Sequence, residues 1–208
     1  MAKYLQGING IFIGKVGTVV GCVLNGTPYM RSKPRPRTGP IGEREQQNRN
    51  KFATIHAWLK PFLPLLRAGF KSPDSEFGGY NAAKSYNLIH AMADGAVLPE
   101  NIRISMGDLM LSDDLRVSYI GNNRLVFEWD PAYIENTDPK DQIMVLAYHP
   151  QSQTAIYFIH GAFRDSGVQE LKITSDFIGK SVDVYAAFIA ADRSRQSDSV
   201  YLGAVLCD

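Results

Sequence analysis

Acidic residues are scarce in the first third of this chain. Residues 1–71 hold two, Glu43 and Glu45, against twelve Lys/Arg, whereas residues 72–208 hold nineteen acids against ten Lys/Arg. The near-neutral total of +1 hides this split between a basic and an acidic part. Such segregation points to two regions with different partners, or to the basic part of one copy meeting the acidic part of another. Cysteine is scarce as well. Cys22 and Cys207 sit near opposite ends and outside any CxxC pattern, which excludes a zinc site or a thioredoxin-like redox pair. Two unrelated thiols, mostly buried, are expected, with a single disulfide joining them as the alternative. The first residues lack a basic segment followed by an unbroken apolar run, so no signal peptide and a cytoplasmic location are expected.

Catalytic signatures are missing too. Gly10-Ile-Phe-Ile-Gly14-Lys15-Val16 is one residue short of a phosphate-binding loop, and Val16 has no hydroxyl to hold magnesium. His56, His90, His149 and His160 show no ligand spacing and read as ordinary core or sheet histidines. Asp108, Asp113, Asp114, Asp130, Glu135, Asp138 and Asp141 cluster without the alternating pattern of a calcium loop, and read as solvated turns. No Gly-x-Ser-x-Gly elbow occurs. The chain is therefore expected not to be an enzyme, with no catalytic residue, cofactor, metal or small-molecule substrate assigned. An active site assembled from residues far apart in sequence would escape this reading.

What is present is a change of period along the chain. Residues 8–24 are apolar apart from Asn9, Lys15 and Thr18 and carry regularly spaced glycines. The central Lys15, the β-branched Val19, Val20 and Val23, and the Asn25-Gly26 turn signal make this a glycine-rich hairpin rather than a membrane helix. A hairpin of this size buries too little to fold alone and must pack on something else. A connector with prolines at 34, 36 and 40 follows. Phe52, Ile55, Leu59, Phe62 and Leu66 then repeat at helical spacing, with a break expected at Pro61 and Pro64. A second helix is expected over 81–94, with Leu88, Ile89 and Met92 inward and Gly95 as its stop, after a turn-rich loop over 71–80. Beyond Pro99 the period is two. Strands are expected at 102–106, 115–119, 124–129, 142–149, 154–159, 168–174, 181–190 and 199–206, the spacing of an antiparallel β-sandwich. The fold class is α+β: an N-terminal β-hairpin and helices over 1–98, then an immunoglobulin or fibronectin III-like sandwich over 99–208. Adjacent apolar residues such as Met144 and Val145 cannot share a strand face, so either the N-terminal hairpin and helices cover one sheet or the sandwich exposes an apolar partner surface. Gly95-Ala-Val-Leu-Pro99 is too apolar for a free linker, so the two parts are expected to be docked.

The segment Arg124-Leu-Val-Phe-Glu-Trp129-Asp-Pro131 resembles the tryptophan-bearing second strand of fibronectin type III domains, and Gly179-Lys-Ser-Val-Asp-Val-Tyr-Ala-Ala-Phe188 resembles their sixth. Val182 departs from that family by standing where its corner tyrosine is usual. Over nearly the whole chain, Gly14-Lys-Val-Gly-Thr-Val-Val-Gly21, Arg31-Ser-Lys-Pro, Gln47-Asn-Arg49-Asn-Lys-Phe52 and Asn81-Ala-Ala-Lys-Ser-Tyr-Asn87 resemble, as an ordered set, a family of functionally uncharacterised Bacteroidota proteins. That resemblance implies no activity, cofactor or catalytic residue. The helix opening Gln-x-Arg-x-x-Phe is also similar to segments of phage-like structural proteins, which makes a virion-like particle an alternative location.

Arg31, Lys33, Arg35 and Arg37 are the candidate contact residues. Their arm is expected to engage a protein partner, or acidic sandwich loops of the same or a neighbouring copy, in contacts that weaken with salt. Sequence-independent nucleic-acid binding by the same cations is the second reading, disfavoured because prolines stand where stacking aromatics or a recognition helix are usual.

Overall fold

The computed structural model describes residues 2–4, 10–24, 26–36, 38–71 and 78–208. Asn25, Arg37 and most of the expected loop over 71–80 lie outside them. The chain forms two compact units, Met1–Gly42 and Glu43–Asp208. An expected division at 98/99 falls inside the second unit, where helices and sheet share one core.

In the first unit, β1 (Lys3–Tyr4), β2 (Phe12–Val16), β3 (Val19–Leu24) and β4 (Thr27–Ser32) pair antiparallel in chain order. Here Gly21 is required by close approach: a Cβ would stand 2.1 Å from the carbonyl oxygen of Phe12. Gly14 at φ 116° supplies backbone freedom within β2 itself. Leu24 pairs with Thr27, so β3 and β4 join through two residues, of which Gly26 has φ 81°. The chain over 12–24 is thus a hairpin, as its β-branched residues dictate, and no helix among the described residues is long and apolar enough to cross a membrane.

The second unit opens with α1 (Glu43–Leu59), a 3-10 turn (Lys60–Phe62) and α2 (Leu63–Gly69). Pro61 and Pro64 sit in the first turns of the latter two elements, where a missing N–H costs least. Glu43 and Glu45 occupy the first turn of α1, where the helix dipole favours acids. Only the last part of α1 is buried, through Ile55, Trp58 and Leu59; Phe52 is exposed. The next helix, α3, spans Gly79–His90 and ends earlier than expected. Met92–Ala93 (β5) and Ala96–Val97 (β6) pair across Asp94 (φ 49°) and Gly95 (φ 84°), so Asp94-Gly95 is a hairpin turn and not a helix stop. Ile89, expected inward, is 68% exposed.

The sandwich follows. One sheet orders β11 (Val168–Lys172), β8 (Arg124–Glu128) and β7 (Arg116–Tyr119). The other orders β10 (Thr154–Phe158), β9 (Gln142–His149), β12 (Lys180–Ile189) and β13 (Val200–Cys207). Residues 102–106 do not form the eighth strand. Ile102 and Ile104 are buried, but so is Ser105, Met106 is exposed, and the backbone bonds elsewhere: the Ile104 amide donates to Ser199 Oγ and the Met106 amide to the Gly69 carbonyl. A period of two in the sequence does not guarantee a ladder.

β9 and β12 are buried on both faces. Val145, Ala147, Val184, Ala186 and Phe188 face Leu125, Phe127, Trp129 and Leu171 of the three-stranded sheet and its flank. On the other face Met144, Leu146, Tyr148, Tyr185 and Ala187 pack on Ile55, Trp58, Leu59, Phe62 and Leu66. Trp58 sits at the centre of this second core, edge-on to Tyr148 at 4.6 Å between ring centroids and to Phe62 at 5.5 Å. The α+β architecture is therefore three layers deep, helices on a four-stranded sheet on a three-stranded sheet, and the adjacent apolar residues of β9 are shared between two cores.

Candidate functional site

The four candidate cations belong to the first unit, which holds six Lys/Arg and no acid, against sixteen Lys/Arg and twenty-one acids in the second. All of β4 is exposed, as are Lys33 and Arg35 beyond it. No ion pair among the described residues uses Lys15, Arg31, Lys33 or Arg35.

The register decides which of them share a face. Val20 lies opposite Lys15 on β2 and opposite Arg31 on β4, so Lys15, Val20 and Arg31 form one cross-strand row. The Lys33 amide donates to the Thr18 carbonyl at 2.7 Å, which extends the ladder by one pair. Strand alternation then puts Tyr29, Arg31 and Lys33 on the same face as Lys15. The face opposite carries Val19, Gly21, Val23, Pro28 and Met30, with Met30 70% exposed. Two-residue hairpin geometry at the Asn25-Gly26 signal gives the Val20 to Arg31 pairing and with it the face of Tyr29, whereas Lys15 joins the row only through the separate register of β2 on β3.

The acidic counterpart is a set of loops at one end of the sandwich. The Asp130 amide donates to the Asp113 carbonyl, the Asp165 amide to the Pro139 carbonyl, and the Arg195 guanidinium to the Asn136 carbonyl, so segments before β7, between β8 and β9, between β10 and β11, and between β12 and β13 converge. Of the seven carboxylates expected there, six are exposed, and Asp165 and Asp192 join them. Nearby Lys140, Arg193 and Arg195 offset only part of that charge, Arg195 reaching Asp108 at 3.7 Å. A polar depression of about 380 Å³ opens among these loops, lined by Asp138, Asp141, Asp192, Ser194 and Arg195. The Asp192 carboxyl is held below its usual range by hydrogen bonds from Ser194.

Asp141 does not belong with the solvated turns. Its side chain is 2% exposed and lies 3.5 Å from Nε of Arg164, itself 2% exposed. Its carboxylate accepts from the amides of Asp138 (2.9 Å) and Ala191 (3.2 Å). Arg164 donates to Ser112 Oγ and the Met110 carbonyl, both at 2.7 Å, and its guanidinium lies 4.0 Å from the Phe188 ring centroid. Trp129 Nε1 donates to the Arg164 carbonyl. Burial pushes the guanidinium pKa down against the opposing pull of Asp141. This pair ties the acidic loops to the sandwich core, and no local motif announced it: the two residues stand in different loops and meet only when the sheets close.

A second buried polar group lies on the helical face of the four-stranded sheet. Asp183 accepts from Tyr201 Oη at 2.8 Å, and Tyr185 Oη donates to the Pro99 carbonyl. Burial raises the Asp183 carboxyl above its ordinary range, and burial together with Asp183 pushes Tyr148 up to about 12. Asn87, from the 81–87 motif, is buried and structural: its side chain accepts from the Arg103 amide and donates to the carbonyls of Ala83 and Arg103. The Gln47 to Phe52 motif is exposed on α1, where Lys84 of α3 lies 4.6 Å from the Phe52 ring centroid. None of the histidines is a core residue, and His149, at the end of β9, is the sheet residue among them. His56, His90 and His160 are exposed and His149 is half-buried, with His56 Nδ1 2.8 Å from Tyr80 Oη. Both thiols are free; Cys207 is buried and Cys22 half-buried.

These features define an α+β protein with a helix-backed antiparallel sandwich, preceded by a small all-cationic sheet. Residues 11–203 match the model of a family of unknown function (DUF6266), and the chain belongs to that family. Comparison with curated proteins and with solved structures finds no match.

Proposed function

We propose that this protein is a non-enzymatic structural or protein-binding subunit that assembles through its basic N-terminal arm, with the acidic loop end of the sandwich in a neighbouring copy as the surface it meets. The observation that carries this is the first unit itself: a 42-residue sheet with six cations, no acid, and exposed Val16, Val23, Leu24, Tyr29 and Met30. So small a sheet has little core of its own, and its charge finds no complement within it. The second unit supplies a surface of opposite sign on loops held by the Arg164–Asp141 pair.

Seven short strands in sheets of three and four, with Trp129 just after β8, support a fibronectin type III-like reading of the sandwich. The exposed Gln47 to Phe52 motif on α1 fits the analogy with phage-like or mobile-element structural proteins, and with a cytoplasmic or particle-associated location. Sequence-independent nucleic-acid binding by the same cations is the second reading, favoured by Tyr29 sharing their face. The discriminating experiment measures mass in solution as salt is varied, alongside binding to unrelated labelled single-stranded DNA. Salt-sensitive oligomers without DNA binding support assembly; a monomer that binds DNA supports the second reading.

A further inference from the structure

Resting on the assembly reading, we infer that the N-terminal sheet meets the acidic loops of a second copy through one face and not through its open edge, and that Lys15 and Tyr29 belong to the contact with Arg31 and Lys33. Strand addition is the obvious alternative, because β4 ends the sheet β1-β2-β3-β4 and is exposed throughout. The hydrogen-bond parity argues against it. Alternate residues of an antiparallel strand turn both backbone groups to the partner. The Lys33 amide bonds the Thr18 carbonyl, so odd-numbered residues of β4 face β3 and residues 28, 30 and 32 face the open edge. Residue 28 is proline, which has no N–H to offer there. Pro34 and Pro36 follow at the same parity. Proline at outward positions is how edge strands are kept from pairing.

The face has what the edge lacks. Arg31 and Lys33 lie two residues apart, about 6.6 Å along the strand, and Lys15 lies two strands from Arg31, about 9.6 Å across the sheet. Three cations so spaced, with an aromatic ring beside them, suit a surface of separated carboxylates. The loops with six exposed acids among 108–138, joined by Asp165 and Asp192, present that charge pattern.

The test uses the full chain and measures dimer affinity by sedimentation at low salt for Lys15→Ser, Arg31→Ser, Lys33→Ser, Met30→Ser and Ser32→Pro, with circular dichroism to confirm folding. Each of the three cation variants is expected to weaken the dimer about fivefold, the upper range for one exposed charge pair. Met30→Ser on the opposite face, and Ser32→Pro, which removes an outward N–H, are expected to leave affinity within about twofold, no more than a minor surface change produces. Loss of the dimer in Ser32→Pro, or a Lys15→Ser variant like wild type while Arg31→Ser is weakened, overturns the face assignment and leaves assembly standing. A wild-type protein that is monomeric at every salt concentration overturns the assembly reading itself. Loss of binding to labelled single-stranded DNA in the same three variants, with no dimer present, overturns the second copy as partner in favour of nucleic acid.

Discussion

Replacing Asp141 by Asn should unfold the sandwich more easily than almost any other change of one functional group. Asn is nearly the same size and keeps one acceptor, so the perturbation is close to a pure loss of charge. Arg164 would remain 2% exposed, with Ser112 Oγ, the Met110 carbonyl and the Phe188 ring as partners but no counter-charge. Leaving one member of a buried pair unmatched costs about 3–5 kcal/mol, and one of the two amide bonds to the carboxylate is weakened besides. Arg164→Met should cost less, about 2–4 kcal/mol, because Asp141 keeps two backbone donors and the Met side chain refills the space beside Phe188. The double variant should be more stable than the sum of the singles predicts by about 1–3 kcal/mol, since it leaves no orphaned charge. Urea unfolding followed by tryptophan fluorescence measures all four proteins, and Trp129 is a local reporter because its Nε1 bonds the Arg164 carbonyl. For a chain of this size the Asp141→Asn loss corresponds to a fall in Tm of about 6–20 °C. A loss below about 1 kcal/mol, or strictly additive singles, would refute the claim that the pair is a buried, mutually dependent node.

Asp183 should make stability depend on pH in the direction opposite to an ordinary paired carboxylate. Burial raises its carboxyl pKa, so the folded protein holds the proton more tightly than the unfolded chain, and the group's stabilising contribution is present at acid pH and lost as pH rises through the raised value. Asp183→Asn, which still accepts from Tyr201, should therefore be more stable than wild type at neutral pH and converge with it in acid; an Asn variant that is less stable at pH 7 contradicts this. Asn87→Ala removes two hydrogen bonds between α3 and the segment at Arg103 and a third within α3 to the Ala83 carbonyl, and should cost about 2–4 kcal/mol in urea denaturation, with a change under 1 kcal/mol showing that the clasp is dispensable. Because β9 and β12 are shared by both cores, Trp58→Phe and Trp129→Phe proteins, each with one reporter left, should show coincident unfolding midpoints; separated transitions would mean the helical layer and the sandwich unfold independently. Pro28→Thr restores an outward N–H on the open edge of β4 and should increase aggregation by turbidity, and unchanged solubility would show that Pro28 does not guard that edge.

Much of this architecture was legible in the sequence, and the exceptions share a physical cause. Helical spacing from Phe52 to Leu66 and the prolines at 61 and 64 placed the buried part of α1 and the break before α2, and seven alternating segments placed β7 to β13 nearly to the residue, because each rests on local periodicity. The apolar neighbours Met144 and Val145 called for either a covering layer or an exposed partner surface, and α1 to α3 provide the layer. Failures came where a local signal had two readings. Asp94-Gly95 serves equally as a helix stop and a hairpin turn, and Ile89 followed the helical period while facing solvent. The alternation of 102–106 matched a strand, yet its partners are Asn87, Ser199 and Gly69 from distant parts of the chain. Asp141 looked like its loop neighbours because only its meeting with Arg164, across the fold, distinguishes it. At the candidate site, Arg31 and Lys33 were read from charge density alone, whereas Tyr29 needed the β3–β4 register that the Asn25-Gly26 signal contained, and Lys15 needed the register of β2 on β3 as well. That reading took the arm as a linear stretch of charge, while the sheet sorts its cations by face.

The central claim is assembly through the basic arm, and mass in solution tests it most directly. Light scattering on the full chain at low and high salt, repeated with Arg31, Lys33, Arg35 and Arg37 changed to Ser, should show oligomers that dissociate as salt rises and are absent from the variant. A monomer in both proteins at every salt concentration, or an oligomer indifferent to both salt and the four substitutions, would contradict it.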